Sequence, residues 1–252
     1  MRFDDKVAIV TGSSAGIGAA TARRLLAEGA FVILNGRQSD KLALSASDLP
    51  KDRIHLHVGD VSIGIEARAL IAAAVERFGR IDLLVNNASS IAFVDLASQT
   101  IDDWRQTFAT NVDAAFHTCQ AALPHFAATA SIVNVSSVSA WGGDAMMSAY
   151  NAAKAALSNY TRALAVELGP RGIRVNAVLP SVVWTDRTAI LRDNPAIVSR
   201  QVARFPLGRI AEAEEIASAI AFLASADASF ITGVDLPVDG GLTATTGMAS
   251  FF

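Results

Sequence analysis

Cysteine is nearly missing from this 252-residue chain. Cys119 stands alone, which excludes an intramolecular disulfide, and its ordinary reading is a small buried hydrophobe on a helix, not a nucleophile. Histidine is scarce too, with four residues. His55 and His57 alternate along a strand with no cysteine or carboxylate cluster at ligand spacing, and His117 and His125 lie eight apart on a helix, so no metal site is expected. Charged residues make up only 18% of the chain and the net charge is −3, which argues against the basic footprint of a nucleic-acid binder. No apolar run reaches the ~18 residues of a membrane span. The few residues ahead of the first strand leave no room for a signal peptide, so a soluble, cytoplasmic protein is expected. There is no G-x-S-x-G elbow, and no Lys-Ser/Thr follows Gly16 or Gly18 as a nucleotide-triphosphate loop would require. Repeats, low-complexity tracts and linkers are also lacking, which predicts one domain over 1–252 with a substrate lid near 185–209.

What the chain does have is apolar residues, 52% of the total, in a regular alternation. Strands are predicted at Val7–Val10, Phe31–Leu34, Ile54–Val58, Ile81–Val85, Ile132–Val135, Ile173–Leu179 and near Val234–Val238. Between them, helices are predicted after Gly18 and over 65–78, 101–127, 149–168 and 212–224. Strands that are apolar throughout are buried on both faces. The class is therefore α/β: a doubly wound parallel sheet of about seven strands with helices on both faces. In such sheets ligands sit beyond the carboxyl ends of the strands. That draws attention to Thr11–Gly18, Arg37, Asp60, Asn86–Ser89, Ser136–Ser137 and Pro180–Thr185.

The first of these stretches, VAIVTGSSAGIGAA at Val7–Ala20, reads as a strand, a tight turn and a helix start. Gly12 permits turn angles that a Cβ forbids. Gly16 leaves room for a phosphate at the helix N-terminus, whose unpaired N–H groups carry about half a positive charge. Gly18 and the small residues Ala19–Ala22 let the helix lie close on the sheet. Further along, Tyr150 and Lys154 are four apart and share one helix face. A free phenol has a pKa of about 10, too high for a base at neutral pH. A neighbouring ammonium is expected to lower it, and Ser137 could hold a carbonyl oxygen in line with the phenol. Such a group suits proton transfer coupled to hydride transfer at a carbonyl or alcohol carbon.

These motifs together resemble the short-chain dehydrogenase/reductase family over nearly the whole length. They are Thr11-Gly12-x-x-x-Gly16-Ile17-Gly18, Asp60-Val61, Asn86-Asn87-Ala88, Asn111, Ser137, Tyr150-x-x-x-Lys154, Asn176 with Pro180, Thr185, and Asp239-Gly240-Gly241. The resemblance implies a Rossmann-like fold and Tyr150 as general acid/base. It implies that Ser137 orients the substrate oxygen, that Lys154 holds the nicotinamide ribose and lowers the tyrosine pKa, and that Asn111 positions a proton-relay water. For the cofactor it implies Gly12, Ser14, Gly16, Ile17 and Gly18 at the phosphates, Asp60 and Val61 beside the adenine, and Asn87 and Ala88 along the adenosine and ribose channel. Thr185 would bond the carboxamide, with Val183 contributing backbone. Two positions depart from the family's usual glycines, Ser89 and Ser181.

An NAD enzyme of this kind places a carboxylate at the end of the second strand to bond the ribose 2′-OH. Here Gly36 stands there and Arg37 follows, an arrangement that admits and pairs with a 2′-phosphate. NADP(H) is therefore favoured over NAD(H). Segments 138–148 and 181–209 should wall the substrate pocket with Trp141, Met146, Met147 and Trp184, and Phe93 nearby, which suits a ketone or secondary alcohol with apolar flanks. A 3-oxoacyl-carrier-protein reductase is the rival enzyme reading, kept open by Arg187, Arg192, Arg200 and Arg204, although Ala127–Ala130 carries no basic residue. A non-catalytic dinucleotide-sensing protein is the rival of another class, and the retained Asn111, Ser137, Tyr150 and Lys154 oppose it. The family resemblance also implies a homodimer or homotetramer sharing helices 101–127 and 149–168.

Overall fold

The computed structural model describes residues 1–246. Its order is β1 (Val7–Val10), α1 (Gly16–Ala27), β2 (Phe31–Gly36), α2 (Ser39–Ser45), β3 (Ile54–Val58), α3 (Gly64–Phe78), β4 (Ile81–Asn86), α4 (Ile101–Phe108), α5 (Ala114–Ala122), β5 (Phe126–Val135), α6 (Ser148–Leu168), β6 (Ile173–Pro180), β7 (Val183–Trp184), α7 (Pro195–Val202), β8 (Ala211–Glu212), α8 (Ala213–Ala224) and β9 (Asp235–Val238). Seven strands form one parallel sheet in the order β3-β2-β1-β4-β5-β6-β9. The strand order reverses between β1 and β4, and there the crevice at the carboxyl ends opens.

Side-chain alternation splits the core into two layers. Ala8 and Val10 of β1 face a cluster with Leu25 of α1, Leu42 of α2 and Ile216 and Ile220 of α8. Val7 and Ile9 face the opposite cluster, with Leu70 and Ile71 of α3, Cys119 of α5 and Leu164 of α6. The central strands are thus covered on both sides and apolar on both faces, whereas the edge strand β3 sets His55 and His57 on one partly exposed face.

Several boundaries differ from expectation. The helix predicted over 101–127 is three pieces: α4, a π-turn at Ala109–Asp113 and α5. Pro124 lacks the N–H that would continue α5, so the chain closes in a 3₁₀ turn at Leu123–His125. Phe126 and Ala127 belong to β5, which is longer than the predicted Ile132–Val135. Its early half pairs with β4 only through Phe126 opposite Ile81 before a register shift, with Ala128 and Thr129 exposed. The segment 185–209 is not merely polar coil, for it contains a 3₁₀ turn at Ala189–Asp193 and α7. A two-residue parallel ladder, Val183–Trp184 with Ala211–Glu212, closes its base. Helix α2 and this ladder escaped the sequence reading because each is too short to show a period.

Candidate active site

The glycine turn is held by the residues that end β4. Thr11 Oγ1 donates to the Val85 carbonyl (3.3 Å) and accepts from the N–H groups of Asn87 (2.9 Å) and Ala88 (3.0 Å). Asn87 Nδ2 donates to the carbonyls of Thr11 (2.9 Å) and Gly12 (3.1 Å). A Cβ on Gly18 would come within 2.4 Å of the Gly12 carbonyl and 2.5 Å of Asn87 Nδ2, so only glycine lets α1 begin here. Gly12 (φ +63°) and Gly16 (φ +53°) both lie in the left-handed region. Helix α1 has Ala15 at its N-cap, with no side-chain cap and no acidic residue in its first turn. Its first N–H groups and dipole are left for an anion. Across from it, the Thr185 methyl would stand 2.9 Å from a Cβ on Gly16. Thr185 is itself set by its N–H bond to Thr188 Oγ1 (2.9 Å), and Thr188 Oγ1 donates to the Val183 carbonyl (2.6 Å).

At the end of β2, Ser14 Oγ occupies the space that a side chain at Gly36 would need, 2.0 Å from its Cβ position. Arg37 is exposed, and its Nη1 lies 3.6 Å from Asp60 Oδ2. Asp60 also accepts from the Ser62 N–H (3.0 Å) and hydroxyl (2.7 Å). Burial pushes the Asp60 carboxyl up, but Ser62 and Arg37 outweigh it and hold the group below its ordinary value. Val61 is buried in the core. Ile17 packs partly buried on the other core layer.

Beyond β5 and on α6 the chemical groups converge. Ser137 is buried at the end of β5, and its Oγ accepts from the Ser139 N–H (3.1 Å). Lys154 is 1% exposed, donates from Nζ to the Val135 carbonyl (2.9 Å), and has Nζ 5.5 Å from the Tyr150 ring centre. Burial, with Arg187 nearby, lowers the ammonium to about 7. Tyr150 does not show the expected lowering. Burial pushes its phenol above the usual value, and Asp144 adds to this, against the opposing pull of Ser137, Arg187 and Ser89. The net direction at Tyr150 is opposite to the expected one, because the low dielectric around the pair disfavours both charged forms at once.

The π-turn places Asn111 beside this group. The Ala114 N–H reaches back to the Ala109 carbonyl, and Asn111 Nδ2 donates to the carbonyls of Thr107 (2.9 Å) and Ser90 (2.8 Å). A cavity of about 10 Å³ opens among Thr11, Asn86, Thr110, Asn111 and Leu157, near the smallest volume that holds one water. Sequence reasoning missed a buried polar chain under the site. Thr118 Oγ1 donates to Asn86 Oδ1 (2.7 Å), Asn86 Nδ2 to Asn134 Oδ1 (2.9 Å), and Asn134 Nδ2 to Thr161 Oγ1 (2.8 Å), tying α5, β4, β5 and α6 together. Asn134, next to last in an otherwise apolar strand end, was its one visible signal. Cys119 joins its edge, with a thiol that burial pushes up to about 12.

Of the expected pocket walls, Met146 is exposed and takes φ +64°, a left-handed angle that is costly for a side chain other than glycine. Its carbonyl accepts from the Val94 N–H (2.9 Å), which joins the loop after β4, with the exposed Phe93, to the loop before α6. Trp141 is not drawn toward the phenol: its indole N–H donates to Asp235 at the start of β9 (3.2 Å). Trp184 lies under Arg192, 4.8 Å from its ring centre. Ser181 lines a separate groove of about 270 Å³ with Leu207, Arg209 and Gly240.

A family model described as enoyl-(acyl carrier protein) reductase matches residues 12–243. The chain is 43% identical to meso-2,3-butanediol dehydrogenase of Serratia marcescens over 249 residues, 98% of each chain. The chain belongs to the short-chain dehydrogenase/reductase family. As a member of that family it is an NAD(P)(H)-dependent oxidoreductase that interconverts ketone and alcohol groups. Among other short-chain dehydrogenases, it is 36% identical to the 3-oxoacyl-[acyl-carrier-protein] reductase of Thermotoga maritima over 247 residues, 96% of this chain and 99% of that one. A solved short-chain glucose/ribitol dehydrogenase from Brucella melitensis superposes with a TM-score of 0.92 at 36% identity, covering 98% of this chain and 99% of the other.

Proposed function

We propose that the protein reduces a small ketone, or oxidises the matching secondary alcohol, with Tyr150 as the general acid/base and NADP(H) as the favoured cofactor. The observations that carry this are the Lys154 Nζ held on the Val135 carbonyl, two residues before Ser137, and 5.5 Å from the Tyr150 ring centre, together with a helix N-terminus at α1 that has neither a side-chain cap nor an acidic residue in its first turn. The turn of Gly12, Ser14, Gly16, Ile17 and Gly18 fits a dinucleotide diphosphate, because a Cβ at Gly16 or Gly18 would meet neighbouring atoms. Asp60 and Val61 would border the adenine, Asn87 and Ala88 the ribose channel, and Val183 and Thr185 the carboxamide. When bound, the cofactor supplies or accepts a hydride at its nicotinamide ring.

The chain's own residues supply the rest. Ser137 Oγ, fixed at the end of β5, bonds the substrate oxygen. The Tyr150 phenol gives that oxygen its proton during reduction and takes one during oxidation. Lys154 bonds ribose hydroxyls from its buried position, and Asn111, held in the π-turn, lines the path by which a proton returns. The segment 185–209 is the lid. Two of the relatives named above carry a vicinal diol and sugars in their names, as a butanediol dehydrogenase and a glucose/ribitol dehydrogenase, which supports a small oxygenated substrate. Purified protein assayed by nicotinamide absorbance against ketones and alcohols tests the reading. Tyr150→Phe should keep cofactor binding while turnover falls by about a hundred- to ten-thousandfold, and unchanged turnover overturns the assignment.

The NADP(H) preference rests on Arg37 and on Ser14 filling the place of an acid at Gly36. A 2′-phosphate competes with Asp60 for the Arg37 guanidinium, as charge-assisted pairing allows. Arg37→Asp should shift the kcat/KM ratio toward NAD(H) by roughly tenfold or more. Equal effects on both cofactors would make Arg37 a partner of Asp60 only.

A further inference from the structure

We propose that Asp144 and Ser139 are positioning residues for Ser137: through two hydrogen bonds they fix the serine whose hydroxyl meets the substrate oxygen. The inference rests on the reading of Ser137 as the group that bonds that oxygen. Ser137 follows β5 in an extended conformation (φ −163°) and caps the 3₁₀ turn Val138–Ala140. Its Oγ accepts from the Ser139 N–H (3.1 Å). A backbone N–H can only donate, so this bond takes a lone pair of Ser137 and leaves its one hydrogen to be given to the substrate oxygen. Where the hydroxyl sits therefore depends on where Ser139 sits.

The turn has little of its own to hold it. Two backbone bonds close it, the Ala140 N–H to the Ser137 carbonyl (2.9 Å) and the Trp141 N–H to the Val138 carbonyl (3.0 Å). It then runs into Gly142 and Gly143. A Cβ would find open space at the first and only Asn151 Nδ2, 4.0 Å away, at the second. The tether comes from beyond the two glycines. Ser139 is buried, and its hydroxyl donates to Asp144 Oδ2 (2.8 Å), a bond strengthened by the carboxylate charge. The Asp144 carbonyl in turn accepts from Asn151 Nδ2 (3.3 Å), on the residue after Tyr150. The loop bends sharply here: Met146 takes φ +64°, and its carbonyl accepts from the Val94 N–H (2.9 Å). One chain of bonds thus runs Ser137–Ser139–Asp144–Asn151 and ties the substrate-orienting serine to the turn of α6 that bears the acid/base. The substrate oxygen gains negative charge as hydride arrives, so a misaimed Ser137 hydrogen costs the transition state more than the bound ketone.

The test is a double-mutant cycle on kcat and KM, using the ketone that the wild type turns over fastest, with cofactor titration by nicotinamide fluorescence and thermal midpoints alongside. Asp144→Ala and Ser139→Ala should each lower kcat by about tenfold, the size of one hydrogen bond to a charged group. KM and the cofactor dissociation constant should change little. Asp144→Asn, whose side-chain oxygen still accepts from Ser139, should recover most of the loss. In a Ser137→Ala background, Asp144→Ala should have no further effect, because it acts through the serine alone. Wild-type kcat in Asp144→Ala, an undiminished loss in the Ser137→Ala background, or an asparagine variant no better than alanine would each overturn the proposal. So would a loss matched by weaker cofactor binding and a lower thermal midpoint, the mark of a merely structural loop. If Ser137→Ala itself keeps its turnover, the reading of Ser137 has failed and the proposal with it. If Ser137→Ala loses turnover while Asp144→Ala keeps it, only the role of Asp144 and Ser139 has failed.

Discussion

Lys154 shows how burial alone can change what a residue offers. Its Nζ is bonded to the Val135 carbonyl and is nearly sealed from solvent, and its titration drops to about 7 against an ordinary value near 10.4. A lysine lowered in the folded state destabilises that state wherever it must stay charged. The penalty is full below about 7 and is relieved as pH rises toward the unfolded value, because over that window the unfolded chain binds the extra proton. Lys154→Met should therefore be more stable than the wild type at pH 6. The gap should shrink at pH 9, at a slope approaching about 1.4 kcal/mol per pH unit. Thermal unfolding of both proteins at the two pH values checks this, and a gap independent of pH would mean that Lys154 keeps its ordinary ionisation. Near neutral pH this lysine is only partly charged, so the permanent cation acting on Tyr150 is Arg187.

At the scale of elements, what the sequence made legible is what depends on the backbone nearby. Gly12, Gly16 and Gly18 announce the turn because each position excludes a Cβ for a local reason. Most strands of the main sheet announce themselves by continuous apolar runs, β3 instead alternating His55 and His57 with apolar residues, and all seven are found in one parallel sheet. The π-turn at Ala109–Asp113 was not legible, since its residues are compatible with an unbroken helix. The turn is held by distant partners: Asn111 answers to Ser90 and Ser89 of the loop after β4. π-turns of this kind recur at functional sites for that reason. The polar chain Thr118–Asn86–Asn134–Thr161 was hidden likewise, as each member looks unremarkable until four elements meet. The Tyr150–Lys154 spacing was plain, but the direction of the Tyr150 shift was not. Spacing fixes which groups are neighbours, while the dielectric around them is a property of the packed whole.

For the whole molecule, one sheet buried on both faces leaves the outer surfaces of the helices as the remaining ground for association. The described residues include apolar side chains there that the core does not use: Ile101 and Trp104 on α4, Phe116 on α5, and Val166 at 80% exposure on α6. On α6 the outward positions Ala155, Asn159, Ala163 and Val166 recur at helical spacing and are exposed, while Ala149, Ala153, Leu157, Leu164 and Leu168 face inward. A surface helix of small and apolar residues with few charges lets a second backbone approach closely, and two copies related by a two-fold axis would each present the same patch. Because α6 carries Tyr150 and Lys154 at its start, pressing its outer face against a partner would also hold the catalytic face at a fixed angle to β5. We propose that this face carries the homodimer or homotetramer contact that the family resemblance implies, through α4–α5 and α6. Val166→Arg together with Phe116→Glu should weaken association by at least tenfold, about 1.4 kcal/mol. Light scattering across a concentration series would show the fall in mass, and kcat should fall with it as α6 loses its support. A wild-type chain that remains monomeric at micromolar concentration while fully active would remove this surface from the account of catalysis.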